Sequence, residues 1–212
     1  AARGYGLSSV VVLISGRGSN MQALLDAGLP VAAVISNMPA AAGLAIAARR
    51  GVPNRIVSHK DFVSRDSFEH ALAEAIDIYS PRLVALAGFM RVLTPDFVER
   101  YPDRLLNIHP SLLPAFPGLN THERALAEGV KFHGCSVHFV TADLDHGPIV
   151  AQAAIPVRRG DTAASLARRV LKQEHVLYAR AVRWFLDGKL VIANGTVSVE
   201  GSDAQFVFDD SP

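Results

Sequence analysis

The chain predicts an α/β fold: a Rossmann-like, mostly parallel, twisted sheet flanked by helices, with a β-hairpin near its C-terminus. Three observations predict it. Short β-branched apolar runs alternate with longer amphipathic stretches along most of the sequence, the pattern of repeated βα units with parallel strands. Val10–Ile14 is apolar at every position without alternation, as a central strand buried on both faces is. Asp187-Gly188 and Asn194-Gly195 flank the apolar run Leu190–Ala193, which is hairpin turn chemistry.

The elements follow in order. After the first strand comes a helix over Asn20–Ala27, a second strand over Val31–Ser36, and an Ala-rich helix over Ala40–Arg50 closed by Gly51. Arg55–Ser58 reads as a third strand and Asp66–Tyr79 as a helix. Leu83–Ala87 is another buried strand, and Pro95 opens a short helix that ends before Pro102. Leu105–His109 is a strand, Glu123–Glu128 a helix, and Cys135–Thr141 and Ile149–Ile155 two further strands. The longest helix, Thr162–Leu186, carries Leu166, Val170, Leu177, Ala181 and Trp184 at spacings of three, four or seven, one apolar stripe. The expected organisation is a single domain over 1–212, with flexible tails at 1–7 and 201–212.

Half of the 212 residues are hydrophobic and 19% are charged, so the chain can build a large core and general disorder is excluded. The 21 basic and 20 acidic side chains leave a formal charge of +1. Arginine pairs such as Arg49-Arg50 and Arg168-Arg169 are isolated, which argues against nucleic acid as a partner. Small anions remain possible ligands, because they need only a local cradle. The lone Cys135 excludes an intrachain disulfide and a thiolate metal cluster, and reads as a small buried strand residue. No run of 18 apolar residues is present, so no membrane span is expected. Ala1–Gly6 lacks the pattern of a signal peptide. The expectation is a soluble, cytoplasmic protein with no membrane partner.

Chemistry concentrates in three segments. Asn107-Ile108-His109-Pro110-Ser111-Leu112-Leu113-Pro114 places an amide and an imidazole two apart at the end of a strand. Residues so spaced point to one face, and strand ends are where open α/β sheets hold their ligands. Such a pair suits a reaction that builds an oxyanion and moves protons; a structural pair closing a strand is the alternative. A tight loop here also makes a cis Leu113-Pro114 bond plausible. Ser15-Gly16-Arg17-Gly18-Ser19-Asn20 joins the first strand to the first helix. Its glycines and the helix N-terminus suit a phosphate, or else form a tight turn with an ordinary N-cap. The third glycine of a dinucleotide fingerprint is missing (position 21 is Met), as is a P-loop Lys. Ser36-Asn37-Met38 stands where a dehydrogenase needs an acidic residue. Finally, Thr141–Pro148 is a polar turn in which Asp143 or Asp145 is placed to orient an imidazole from a neighbouring strand, or is simply solvated. His138 lines the site or hydrogen-bonds in the core. His122 lies near a helix start, where capping roles are common. No metal is expected, since no H-E-x-x-H or Cys pair appears.

Taken together, these segments resemble the phosphoribosylglycinamide formyltransferase family of folate-dependent enzymes. The resemblance rests on Ser15–Ala23, Ala87-Gly88-Phe89-Met90-Arg91-Val92-Leu93, Leu106–Pro114, Phe116-Pro117-Gly118-Leu119, His133–Val140, Asp145-His146-Gly147-Pro148 and Gln173-Glu174-His175. These run in the family's order from about residue 9 to residue 188. The resemblance implies transfer of the formyl group of 10-formyltetrahydrofolate, as co-substrate, to the amine of glycinamide ribonucleotide, a step of purine biosynthesis. It implies Asn107, His109 and Asp145 as the catalytic trio. Gly18, Ser19, Asn20, Met21, Gln22 and Glu174 are implied to bind the ribonucleotide. Arg65, Met90, Arg91, Val92, Leu93, Asn107, Thr141 and Asp145 are implied to bind the folate. The expected assembly is a monomer or homodimer.

Two positions depart from the family pattern. The family often has Gly-Gly-Pro after the catalytic Asp, where this chain has His146-Gly147-Pro148. A side chain at 146 either narrows the freedom of the folate loop or faces solvent. The first His of Pro-Gly-Leu-His-x-His is Asn120 here, leaving His122 as the second. Neither change touches the trio. Formyltransferases acting on methionyl-tRNA carry an extra RNA-binding domain, and formyltetrahydrofolate hydrolases an extra N-terminal one; length disfavours both. A nucleotide-binding module without catalysis is the rival from another class.

Overall fold

A computed structural model describes residues 9–201 and 204–210. The fold is α/β, with mostly parallel strands flanked by helices, and the chain divides into two compact units, one ending at Leu106 and one beginning at Asn107. No helix among the described residues is long and apolar enough to cross a membrane.

In the first unit, strands β1 (Val10–Ile14), β2 (Val31–Ser36), β3 (Asn54–Ile56) and β4 (Leu83–Leu86) are all parallel, in the order β4-β1-β2-β3. β1 and β4 are buried at every residue, which is why both are unbroken apolar runs. Helix α1 (Ser19–Asp26) follows β1, and α2 (Ala42–Arg49) ends before Gly51, which takes a φ of 68°. α2 starts two residues later than predicted because a turn, with Ala41 N–H donating to Met38 O, occupies the segment before it. Helix α3 (Arg65–Asp77) is opened by a Ser64/Ser67 capping box, and α4 (Pro95–Arg100) by Thr94, whose hydroxyl accepts from Phe97 N–H. β3 is fully exposed and ends before Ser58, because that side chain instead caps a 3₁₀ turn over His59–Asp61.

β5 (Leu105–His109) crosses the division, and its last three residues open the second unit. There helix α5 (Thr121–Ala127) precedes strands β6 (Phe132–Phe139) and β7 (Ile149–Pro156), which pair antiparallel. β6 begins three residues before the predicted Cys135 because Phe132, His133 and Gly134 pair with Pro156, Ile155 and Ala154. Helix α6 (Ala163–Leu186) packs on both strands, with all five residues of the predicted stripe buried. β8 (Leu190–Ala193) and β9 (Thr196–Val199) form the expected hairpin. In the expected tail, Phe206–Phe208 forms strand β10, parallel to β7. The open edge of β7 supplies the reason: Gln152 N–H donates to Gln205 O and Gln205 Nε2 donates to Val150 O. The expected tail at 1–7 lies outside the described residues, as do residues 202–203 and 211–212.

Candidate active site

The loop that follows β5 is built on backbone hydrogen bonds from two side chains of the neighbouring strands. Ser136 Oγ donates to Ser111 O (2.7 Å) and accepts from Leu113 N–H (3.0 Å). Gln152 Nε2 donates to Leu113 O (2.9 Å) and to Ser136 Oγ (2.8 Å). Ser111 Oγ donates to Ala115 O, and Thr121 Oγ1 to Pro110 O. The Leu113-Pro114 bond is cis. Each buried loop carbonyl therefore meets a donor, as burial of backbone requires. Sequence reasoning missed Ser136 and Gln152 as loop anchors.

Asp145 meets His109 at the end of β5: Nδ1 to Oδ2 is 3.5 Å, and both side chains are only 7% exposed. The same Oδ2 accepts from Gly118 N–H at 2.8 Å, so the Phe116–Leu119 segment helps hold the carboxylate. Asp145 itself takes a φ of 54°, a left-handed conformation that Asp tolerates better than most residues. His109 Nε2 donates to Phe116 O at 2.9 Å. Both its ring nitrogens thus face acceptors, a setting fully satisfied only when both carry hydrogen.

His138, on β6, is the opposite case. Its Nδ1 donates to Phe139 O at 2.9 Å, and its Nε2 accepts from Asn107 Nδ2 at 3.2 Å. That set is satisfied by the neutral ring. Burial pushes the His138 ionisation below the ordinary histidine range, the Phe139 carbonyl and Asp145 partly offsetting it and His109 adding to it. His138 Nε2 lies 3.7 Å from Asp145 Oδ1, beyond hydrogen-bond reach. Asn107, His138, Asp145 and His109 form a continuous cluster.

A second histidine pair lies behind the loop. His122 Nδ1 and His133 Nε2 are 3.1 Å apart, with the rings edge-to-face. Burial lowers both ionisations, that of His133 to about 4. Cys135 is buried on β6, and its thiol is pushed well up, first by desolvation, which disfavours the thiolate. His146 is exposed, with Nδ1 donating to Leu144 O at 2.7 Å. Asn120 precedes α5 in the left-handed region and makes no side-chain cap bond.

Gly147 admits no side chain: a Cβ there would stand 1.7 Å from Phe139 O. Phe139 N–H in turn donates to Pro148 O. The Thr141–Pro148 turn thus closes tightly over the carbonyl that also holds His138. Thr141 Oγ1 donates to Asp143 O within it. Glu174 is buried on α6.

In the first unit, Gly18 has a φ of 74°, and a Cβ there would meet Gly43 Cα at 2.7 Å. Gly43 N–H donates to Gly16 O, so α2 packs directly on the loop that begins α1. Ser19 and Asn20 start α1, Asn20 and Met21 are buried, and Gln22 is exposed. Ser15 Oγ donates to Asn37 Oδ1 (2.5 Å) and accepts from Met90 N–H (2.7 Å). Asn37 Nδ2 lies 3.2 Å from His59 Nδ1. Asn37 is therefore a loop support, a role sequence reasoning did not assign. Met90 is 60% exposed and Val92 49% exposed, beside buried Leu93; Arg65, the first residue of α3, is exposed.

Among the described residues no cluster of three or more His, Cys, Asp or Glu side chains is placed to hold a metal ion. Residues 8–182 match the family described as formyl transferase. The chain is 46% identical over 199 residues to phosphoribosylglycinamide formyltransferase of Escherichia coli, covering 91% of this chain and 94% of that one. It is 45% identical over 196 residues to the human trifunctional purine biosynthetic protein adenosine-3, covering 90% of this chain and 19% of that much longer one. Its fold superposes with a TM-score of 0.91 and 42% identity on the crystal structure of phosphoribosylglycinamide formyltransferase from Anaplasma phagocytophilum, covering 97% of this chain and all of that one.

Proposed function

The chain belongs to the formyl transferase family, and from that premise we propose that it transfers the formyl group of 10-formyltetrahydrofolate to the amine of glycinamide ribonucleotide in purine biosynthesis. The observation that carries the reading is the Asp145–His109 contact at 3.5 Å, with Asn107 two residues along the same strand. The ribonucleotide amine attacks the formyl carbon, forming the new C–N bond and a tetrahedral intermediate whose oxygen carries negative charge. Asn107 Nδ2 donates to that oxygen; one such donor is worth about 3 kcal/mol. Collapse breaks the bond from the formyl carbon to the folate nitrogen. The folate nitrogen takes a proton from the His109 imidazolium, and the proton lost by the attacking amine restores it. Asp145 holds the imidazolium by charge and relays protons, with water as the carrier. Direct attack needs no covalent enzyme intermediate, and the reading calls for no metal.

The binding assignments belong to the same proposal. Gly18, Ser19, Asn20, Met21 and Gln22 hold the ribonucleotide phosphate and ribose, supported by the place of this segment at the N-terminus of α1, the positive end of the helix dipole. Glu174 contacts the ribonucleotide. The exposed apolar side chains of Met90 and Val92, with Arg91, Leu93, Thr141 and Asp145, bind the pterin, and Arg65 the rest of the folate. The two units work as one formyltransferase domain, as the family match across both supports. The protein acts in the cytoplasm as a monomer or homodimer, without nucleic acid or membrane.

Release of tetrahydrofolate, followed by absorbance with glycinamide ribonucleotide present or omitted, tests this. Turnover that requires the ribonucleotide is expected. Release without it would make the protein a hydrolase, and no release in either case would sink the assignment.

A further inference from the structure

We propose that His138 is a positioning residue for this transfer, one that holds the Asn107 amide with its nitrogen turned to the reacting carbonyl and leaves Asp145 to His109. The inference rests on the reading of Asn107 as the oxyanion donor.

A primary amide is nearly symmetric in shape, so sterics alone do not decide whether Asn107 presents nitrogen or oxygen to a substrate. The wrong orientation would set a carbonyl oxygen against a developing oxyanion and turn a stabilising dipole into a repulsive one. What decides it is the atom on the other side. His138 Nε2 stands 3.2 Å from Asn107 Nδ2; as an acceptor it takes one amide N–H and leaves the second for the substrate.

His138 is an acceptor there because its other nitrogen is committed. Nδ1 donates to Phe139 O at 2.9 Å, and the side chain is 2% exposed, so water does not compete. The turn at Gly147 lies so near that carbonyl that a Cβ there would stand 1.7 Å from it. With the single ring hydrogen on Nδ1, Nε2 carries only a lone pair. The ionisable groups facing the ring are Asp145, at 3.7 Å, and His109. One carboxylate cannot hold two adjacent imidazolium ions. Burial is the largest influence on the His138 ionisation and lowers it, against the raising effects of the Phe139 carbonyl and Asp145, while His109 lowers it in a smaller measure. Asp145 thereby remains the counter-ion of His109, whose Nδ1 and Nε2 both face acceptors.

The test combines a tautomer measurement with kinetics. In nitrogen-15 NMR of the wild-type protein, His138 is expected as the neutral Nδ1–H form, and Asn107→Ala is expected to shift its Nε2 resonance. His138→Leu is expected to lower kcat by about tenfold to a hundredfold, within the range for disabling an oxyanion donor, with KM for the ribonucleotide within about twofold. His138→Gln, whose Oε1 can accept the same N–H, is expected to recover most of the loss. An Nε2–H tautomer, an Nε2 resonance indifferent to Asn107→Ala, full activity in His138→Leu, or equal losses in the Leu and Gln variants would each overturn the proposal. Should the wild type show no formyl transfer, the functional reading fails, and the two NMR results alone decide whether His138 orients Asn107.

Discussion

Replacing Asp145 by Asn keeps the shape of the side chain and removes the charge that faces His109 at 3.5 Å. With a neutral amide there, the imidazolium loses its counter-ion, and kcat is expected to fall by about a hundredfold or more, in the range of general acid–base contributions. Asn107→Ala removes the oxyanion donor and is expected to cost roughly a hundredfold in kcat, with little change in ribonucleotide KM. Steady-state kinetics of the two variants checks both. The Asn107/His109 pair was legible in the sequence because strand geometry alone puts alternate residues on one face. Asp145 was not separable from Asp143 without the family resemblance, since both sit in one polar turn. His138 stayed between a core and a site role, because its meaning depends on which atom of Asn107 it meets across strands.

At the scale of elements, the Thr141–Pro148 turn depends on the absence of one side chain. Gly147→Ala would push a methyl group toward Phe139 O, and its displacement is expected to cost about 1–3 kcal/mol by overpacking, together with a loss of activity as His138 and Asp145 shift. Thr162→Ala removes half of the capping box of α6 and is expected to cost about 1 kcal/mol, leaving kcat unchanged. Urea denaturation read with activity separates the two cases. Buried strands and the long helix were legible because burial leaves a periodic signal, either an unbroken apolar run or a stripe at helical spacing. Boundaries moved where a side chain competed for the backbone, as at Ser58, or where a partner strand extended the ladder, as at Phe132. Ser136 and Gln152 gave no signal, because a serine or glutamine that bonds distant backbone looks like any other in the sequence. β10 was missed for a similar reason: three residues become a strand only beside the free edge of β7.

For the molecule as a whole, three histidines whose ionisation burial lowers shape the response to acid. His133 titrates near 6.5 when unfolded and near 4 when folded, and His122 and His138 are shifted in the same direction. Between those values the unfolded chain binds more protons than the folded one. Stability is therefore fully present above about pH 6.5 and falls as pH drops toward 4, by up to about 1.4 kcal/mol per pH unit for His133, with His122 and His138 acting in the same direction. Urea midpoints between pH 4 and 8 are expected to show this slope, and His133→Leu to reduce it. The family match runs through both compact units, and no local pattern in the sequence marked the division at Leu106, because it falls inside an uninterrupted strand. The central claim is that His109 serves the chemistry rather than the binding of the ribonucleotide. The measurement that reaches it most directly is His109→Asn, assayed for formyl transfer and, by calorimetry, for ribonucleotide affinity. The account predicts a loss of turnover of roughly a hundredfold or more with the ribonucleotide Kd nearly unchanged; near-normal turnover, or affinity falling in step with turnover, would contradict it.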